Sequence, residues 1–272
     1  TVSHSSDNSY TQGNKTSETY YDIHLGKGDE IADKSFNFDR AGVNVKSVSL
    51  YEYGSVALTN GQTGLTASAL TADEIDFSMV RTVSHESNNS YITGTKTSET
   101  YYDIHLGKGD EIADRSFNFD EDGTDVKSMS IYEYGSVALT DGASGSRAST
   151  LDATQTDYSM VRTVSHESNN SYAQGTKTSE TYYDIHLGKG DEIADRSFNF
   201  DKDGADVKSV SFYEYGSVEL NDGQAGTSAS GLTADEIDYA MVRTVSHESN
   251  NSYETGTKTS ETYYDIHLGK GD

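Results

Sequence analysis

The chain has 272 residues and a formal net charge of -25, from 20 Lys and Arg against 45 Asp and Glu. A surface that negative repels phosphate backbones and anionic lipid, which argues against nucleic-acid and membrane-surface partners. Cysteine, tryptophan and proline are absent, so disulfides, thiolate metal sites and cysteine nucleophiles are ruled out together.

Hydrophobic residues make up only 33%, yet 20 Tyr and 8 Phe set in regular alternation point to a folded chain rather than a disordered one. No stretch approaches the roughly 18 apolar residues of a membrane span, and the first residues do not read as a signal peptide. The same words, TVSH followed by SY, open at Thr1, Thr82, Thr163 and Thr244. This period of 81 divides the chain into repeats at 1–81, 82–162 and 163–243 and a partial fourth at 244–272. Beginning in register and stopping partway through a copy, the chain reads as a segment of something longer. Copies two and three differ at 18 of 81 positions, most of them between Ala138 and Ser159, while Gly94 to Asp120 recurs unchanged as Gly175 to Asp201.

In copy two, Thr97 to Leu106 alternates and predicts a half-buried strand, with Tyr102, Ile104 and Leu106 facing one way and Tyr101, Asp103 and His105 the other. Gly107-Lys108-Gly109-Asp110 predicts a turn, and Ile112 to Phe119 a second strand with Phe117 and Phe119 two apart. Asp120-Glu121-Asp122-Gly123-Thr124-Asp125 predicts a tight hairpin, its Asp-Gly pair supplying positive φ. A long strand is expected from Val126 to Leu139, with a bulge or bend at Gly135. Next, Leu70-Thr71-Ala72-Asp73-Glu74-Ile75 predicts one capped helical turn, repeated at Leu232 to Ile237 and degraded at Leu151 to Thr156 in copy two. A last strand carries Met79 and Val80 across the linker-free junction to His85. The expected fold is all-β, a tandem array of 81-residue β-sandwich or barrel-like modules with six or seven strands each.

Three constellations bear on chemistry. Carboxylates around a glycine turn suit calcium, a hard cation that takes six to eight oxygens. Candidate ligands are Asp120, Asp122 and Asp125 with their copies Asp201, Asp203 and Asp206, and a second cluster of Asp110, Glu111 and Asp114. The first copy, however, keeps one acid of the first set, at Asp39. Asp103 and His105 share a strand face, but no Ser or third ligand stands at a telling spacing, so the pair reads as a polar face and no enzyme is expected. Outward tyrosines such as Tyr101 and Tyr132 are placed to meet sugars or another chain, or to pair across strands. Asn14, Asn88, Asn169 and Asn250 begin glycosylation sequons.

Recurrence of TVSHESNNSY and TSETYYDIHLGKGDEIADRSFNF, the acidity and the missing Cys together resemble the very large tandem-repeat adhesins and extracellular fibres of bacteria. That resemblance implies an extracellular or cell-surface setting, calcium-rich surroundings, and a role in extension or attachment. The leading expectation is a structural segment of a filament or stalk whose partners are other copies of itself. The second is a multivalent adhesin that binds glycans or a surface through the variable stretch from Ala138 to Ser159.

Overall fold

The computed structural model describes residues 1–5, 13–87 and 89–266. It is all-β, with strands that pair antiparallel and, among the described residues, helical content limited to single 3-10 turns. In chain order the strands are β1 (Val2–His4), β2 (Lys15–Asp22), β3 (Ile31–Phe38), β4 (Val45–Gly54), β5 (Leu65–Thr66), β6 (Ser78–Glu86), β7 (Lys96–Asp103) and β8 (Ile112–Phe119). Then follow β9 (Val126–Gly135), β10 (Ser146–Arg147), β11 (Ser159–Glu167), β12 (Lys177–Asp184), β13 (Ile193–Phe200), β14 (Val207–Gly216), β15 (Thr227–Ser228), β16 (Ala240–Glu248) and β17 (Lys258–Tyr263).

Two compact units emerge: Thr1–Met129 with Ser168–Ala173, and Ser130–Glu167 with Gln174–Asp272. In the first, the pairings run β1, β2, β3, β4, β6, β7, β8, with β5 added at the far end of β4. In the second they run β11, β12, β13, β14, β16, β17, with β15 at the end of β14. Among the described residues, no pairing closes either row into a barrel. The junction Arg81-Thr82 lies inside β6, which pairs with β4 of the preceding copy and β7 of the following one. Arg243-Thr244 sits likewise inside β16.

Among the described residues, each of the three complete copies supplies four long strands and one two-residue strand, not six or seven. Most of the shortfall lies after Gly135. The expected long strand stops there, and Val137 is 68% exposed rather than packed. A Cβ at Gly135 would lie 3.2 Å from the Val161 side chain, a close approach that glycine accommodates without displacing Val161. The capped turn is present, as 3-10 turns at Ala72–Glu74 and Ala234–Glu236. In each, the Thr and Glu side chains satisfy one another's backbone N–H groups.

Strand alternation places the core. Phe36 lies opposite Val48 and Ser35 opposite Ser49, so aromatic and aliphatic side chains go to one face and serines to the other. On the first face Phe36, Val45 and Val48 are buried with Phe38 and Leu50 against them. On the other, Ile31, Tyr53, Ala67 and Leu70 are buried beneath the loop that carries the 3-10 turns. The second unit repeats both clusters, as Tyr182, Phe198, Val207 and Val210, and as Ile193, Tyr215, Ala229 and Leu232.

Candidate functional site

Strand register sets an arginine between acids on the aromatic face. In the first unit Glu52 on β4, Arg81 on β6 and Tyr101 on β7 are direct cross-strand partners in one line. Arg81, only 6% exposed, donates from Nε to Glu52 Oε2 and from Nη2 to Glu52 Oε1, each at 2.9 Å, and lies 3.4 Å from Glu99 Oε1. This forked geometry is what a guanidinium offers a carboxylate. Lys96 Nζ donates to Glu99 Oε1 at 2.9 Å and Tyr101 OH to Glu99 Oε2 at 2.9 Å. Burial alone would raise the Glu99 carboxyl. The hydrogen bond from Lys96, the Arg81 charge and the two tyrosine hydroxyls outweigh it and hold that carboxyl below its ordinary value. The second unit builds the same knot twice, as Arg162 with Glu133 and Glu180, and as Arg243 with Glu214 and Glu261.

A tyrosine 73 positions beyond the glutamate closes the Arg81 and Arg162 knots. Tyr172 OH donates to Glu99 Oε2 at 2.9 Å, and its ring stands edge-on to Phe117 and Phe119 at centroid distances of 5.0 and 6.2 Å. Tyr253 does the same to Glu180, Phe198 and Phe200, and Tyr91 to Glu18, Phe36 and Phe38. The loop that presents Tyr172 turns at Asn170, held at φ 54°, a left-handed conformation that asparagine tolerates better than most residues. Gly142, at φ 78°, leaves room for the Tyr253 ring, which a Cβ there would meet at 3.1 Å. The Arg81 and Arg162 knots therefore each join two adjacent copies, and each is capped by a tyrosine of the copy after them, within a single unit.

Sequence reasoning missed this arrangement. It placed Tyr101 outward, whereas Tyr101 is fully buried against Phe117. Tyr132 is half-buried. The usable signal was a charged residue between the valines of Met79-Val80-Arg81-Thr82-Val83, repeated at 162 and 243.

The expected calcium residues are occupied in other ways. Asp120 Oδ1 accepts the Thr124 and Asp125 backbone N–H groups at 2.9 and 3.2 Å, and Asp201 those of Ala205 and Asp206 at 3.0 and 3.4 Å. Asp39 makes the same turn without the other acids, so the aspartate common to all copies is the one the turn uses. Asp120, Glu121 and Asp122 line an open depression with Lys127; Asp125 is not part of its lining. Asp203 and Asp206 occupy the equivalent places in the third copy. In the other cluster Glu111 accepts from the Met79 and Gly109 backbone N–H groups at 3.1 and 3.0 Å, stapling the glycine turn to the start of β6. Asp114 pairs with Arg115 at 2.6 Å, and Asp110 is exposed. Among the described residues, no group of three or more His, Asp or Glu is arranged to hold a metal ion.

Asp103 and His105 are in contact, as are Asp22 with His24 and Asp184 with His186. His24 and His186 also bond through Nε2 to the Leu70 and Leu232 carbonyls at 2.8 and 2.7 Å, which ties the strand end to the 3-10 loop. The hydrogen bond to the aspartate, then that to the carbonyl, raises both imidazoles. His85 and His166 lie in β6 and β11, and there burial lowers them. Of the sequons, Asn14 donates to the Arg40 carbonyl at 2.8 Å, Asn169 and Asn250 are exposed, and Asn88 lies outside the described residues. Compared with protein-family models and with curated proteins, the chain matches none.

Proposed function

We propose that this chain is a structural segment of an extracellular filament or stalk, in which 81-residue β modules stack end to end and the principal partner is another copy. The observation that carries this reading is the junction inside β6. A repeat boundary falls in the middle of a strand paired on both sides, and the knot's Glu99 or Glu180 in one copy is capped by the tyrosine of the next. Such a boundary resists bending, because a hinge there would break ladder hydrogen bonds and expose a buried ion pair together. An additive, nearest-neighbour array of this kind serves length and stiffness.

Electron microscopy of recombinant chains with increasing copy number tests the proposal. Rods that lengthen by a constant increment per copy and show no kinks support it. Flexible beads of one copy each refute it.

A second reading, a multivalent adhesin for glycans or a surface, is favoured by where the copies differ. The variable stretch from Ala138 to Ser159 lies after the end of β9, in loop, short strand and 3-10 turn. Variation concentrated in connections on a largely constant scaffold is the usual layout of a recognition surface.

A further inference from the structure

The loop that carries a capping tyrosine also carries an asparagine that neither the knot nor the strands employ. Asn169 stands three residues before Tyr172, and Asn250 three before Tyr253. Each opens an Asn-Asn-Ser sequon with a glutamate two residues upstream, in Glu167-Ser168-Asn169-Asn170-Ser171 and Glu248-Ser249-Asn250-Asn251-Ser252. The same five residues stand at 86–90, where Asn88 lies outside the described residues.

The fold presents both asparagines to solvent. Glu167 and Glu248 end β11 and β16, and they, Asn169 and Asn250 are all exposed. Just before each asparagine the chain is pinned, where the Ser168 and Ser249 N–H groups donate to the Lys127 and Lys208 carbonyls at 3.0 Å. It then bends at Asn170 and Asn251, with φ of 54° and 61°. Across that bend the Ser168 and Ser249 hydroxyls donate to the Ser171 and Ser252 carbonyls. Ser171 and Ser252 Oγ accept the Ala173 and Glu254 N–H groups at 3.3 Å, a bond that leaves each hydroxyl its proton to donate. Asn14 is the contrasting case. Its sequon has Gln12 two residues upstream, its Nδ2 donates to the Arg40 carbonyl at 2.8 Å, and Lys15 and Thr16 belong to β2.

We propose that Asn169 and Asn250 are acceptor sites for N-linked glycosylation by an oligosaccharyltransferase of the bacterial kind, which requires an acidic residue two positions before the asparagine. The donor is an oligosaccharide carried on a polyprenyl diphosphate. Nδ2 of the asparagine attacks the anomeric carbon of the first sugar and forms the C–N bond. The bond from that carbon to the diphosphate oxygen breaks, the polyprenyl diphosphate leaves with the electron pair, and the Nδ2 proton passes to a carboxylate of the enzyme. An amide nitrogen is a weak nucleophile, so the enzyme must supply its hydrogen bonds, which an exposed bend allows and a strand does not. The Glu167 and Glu248 carboxylates suit a basic pocket on the enzyme, and the Ser171 and Ser252 hydroxyls complete the sequon. One glycan per copy at intervals of 81 residues gives the array a regular hydrophilic coat. The proposal rests on the extracellular placement above, because such carriers are used on the exported side of the membrane; stacking of the modules does not depend on it.

The test is export of the full chain to the periplasm of a host that carries such an enzyme and its lipid-linked oligosaccharide, followed by mass spectrometry of tryptic peptides. Each sequon reports separately, because the Asn169 and Asn250 peptides differ at Ala173 and Glu254 and the Asn14 peptide ends at Lys15. The expected result is glycan on the Asn169 and Asn250 peptides and none on that of Asn14. Glu167→Gln should lower occupancy at Asn169 about tenfold, the loss of one charge-assisted bond, and Ser171→Ala should abolish it there. Asn250 stays occupied in both variants, which shows that the chain still folds and is exported. Absence of glycan on both peptides, while a control acceptor in the same host is modified, overturns the proposal and leaves the filament reading to microscopy. Occupancy at Asn169 unchanged in Glu167→Gln overturns the class of enzyme. Asn14 modified as fully as Asn169 overturns the argument that the fold selects the site.

Discussion

Tyr172→Phe deletes one hydroxyl and tests whether one copy is fastened energetically to its predecessor. That hydroxyl donates at 2.9 Å to Glu99, which is 2% exposed. A hydrogen bond to a charged group contributes roughly 1.5–3 kcal/mol. Because Glu99 Oε2 keeps its bond from Tyr101, the loss belongs at the low end, about 1.5 kcal/mol. Tyr172→Ala also removes two edge-on contacts, with Phe117 and Phe119, at roughly 0.5–1.5 kcal/mol each, so its cost is about 3 kcal/mol. The assay is urea unfolding of the full chain followed by circular dichroism, arranged as a double-mutant cycle with Glu99→Gln. A coupling of about 1 kcal/mol or more is expected between these residues, which are 73 positions apart. Coupling below about 0.5 kcal/mol, the scatter seen between independent sites, would refute the argument that the tyrosine fastens neighbouring copies.

Arg162→Met leaves Glu133 and Glu180 buried without their guanidinium and should cost about 3–5 kcal/mol, read from the same urea curves; a loss under 1 kcal/mol would mean that water already enters the knot. Histidine NMR titration should resolve two classes. His24 and His186 titrate above the ordinary value of roughly 6.5, so their contribution to stability is complete below it and fades as pH rises through the folded-state pKa. His85 and His166 titrate below it, and their protonation on acidification destabilises the fold; a single class near the ordinary value would contradict both assignments. A calcium ion held by Asp120 and Asp122 would raise the melting temperature between chelator and millimolar calcium at fixed ionic strength, and Asp122→Ala would abolish the rise. An unchanged melting temperature rejects calcium there.

The parts of this fold legible in the sequence are those governed by neighbours along the chain. The alternation of Phe117 and Phe119, the positive φ of Gly123 and the Thr71–Glu74 cap each depend on a few adjacent residues, and each is present. What escaped depends on partners far away. Tyr101 reads as one of two equivalent adjacent tyrosines; only the register of β6 against β7, which sets it beside Arg81, buries it. Val137 and Leu139 continue an apolar alternation, but the strand ends before them, at Gly135. The knot itself was hidden because arginine and glutamate are ordinarily read as surface residues. Their burial becomes reasonable only once Glu52, Arg81 and Tyr101 are aligned across three strands.

The number of long strands per copy is even, and this bears on how such a gene can change. Four pairing steps lead from β2 to β7, through β3, β4 and β6, and each step reverses direction. A strand and its counterpart one copy later therefore run the same way, as β12 and β17 do through β13, β14 and β16. Deleting or inserting a whole copy by recombination between near-identical stretches leaves every remaining strand with a partner of the correct polarity and every Glu with a tyrosine arriving from the same side. An odd count would turn each successive copy end for end and make length costly to vary. Here length is free to drift without refolding the parts.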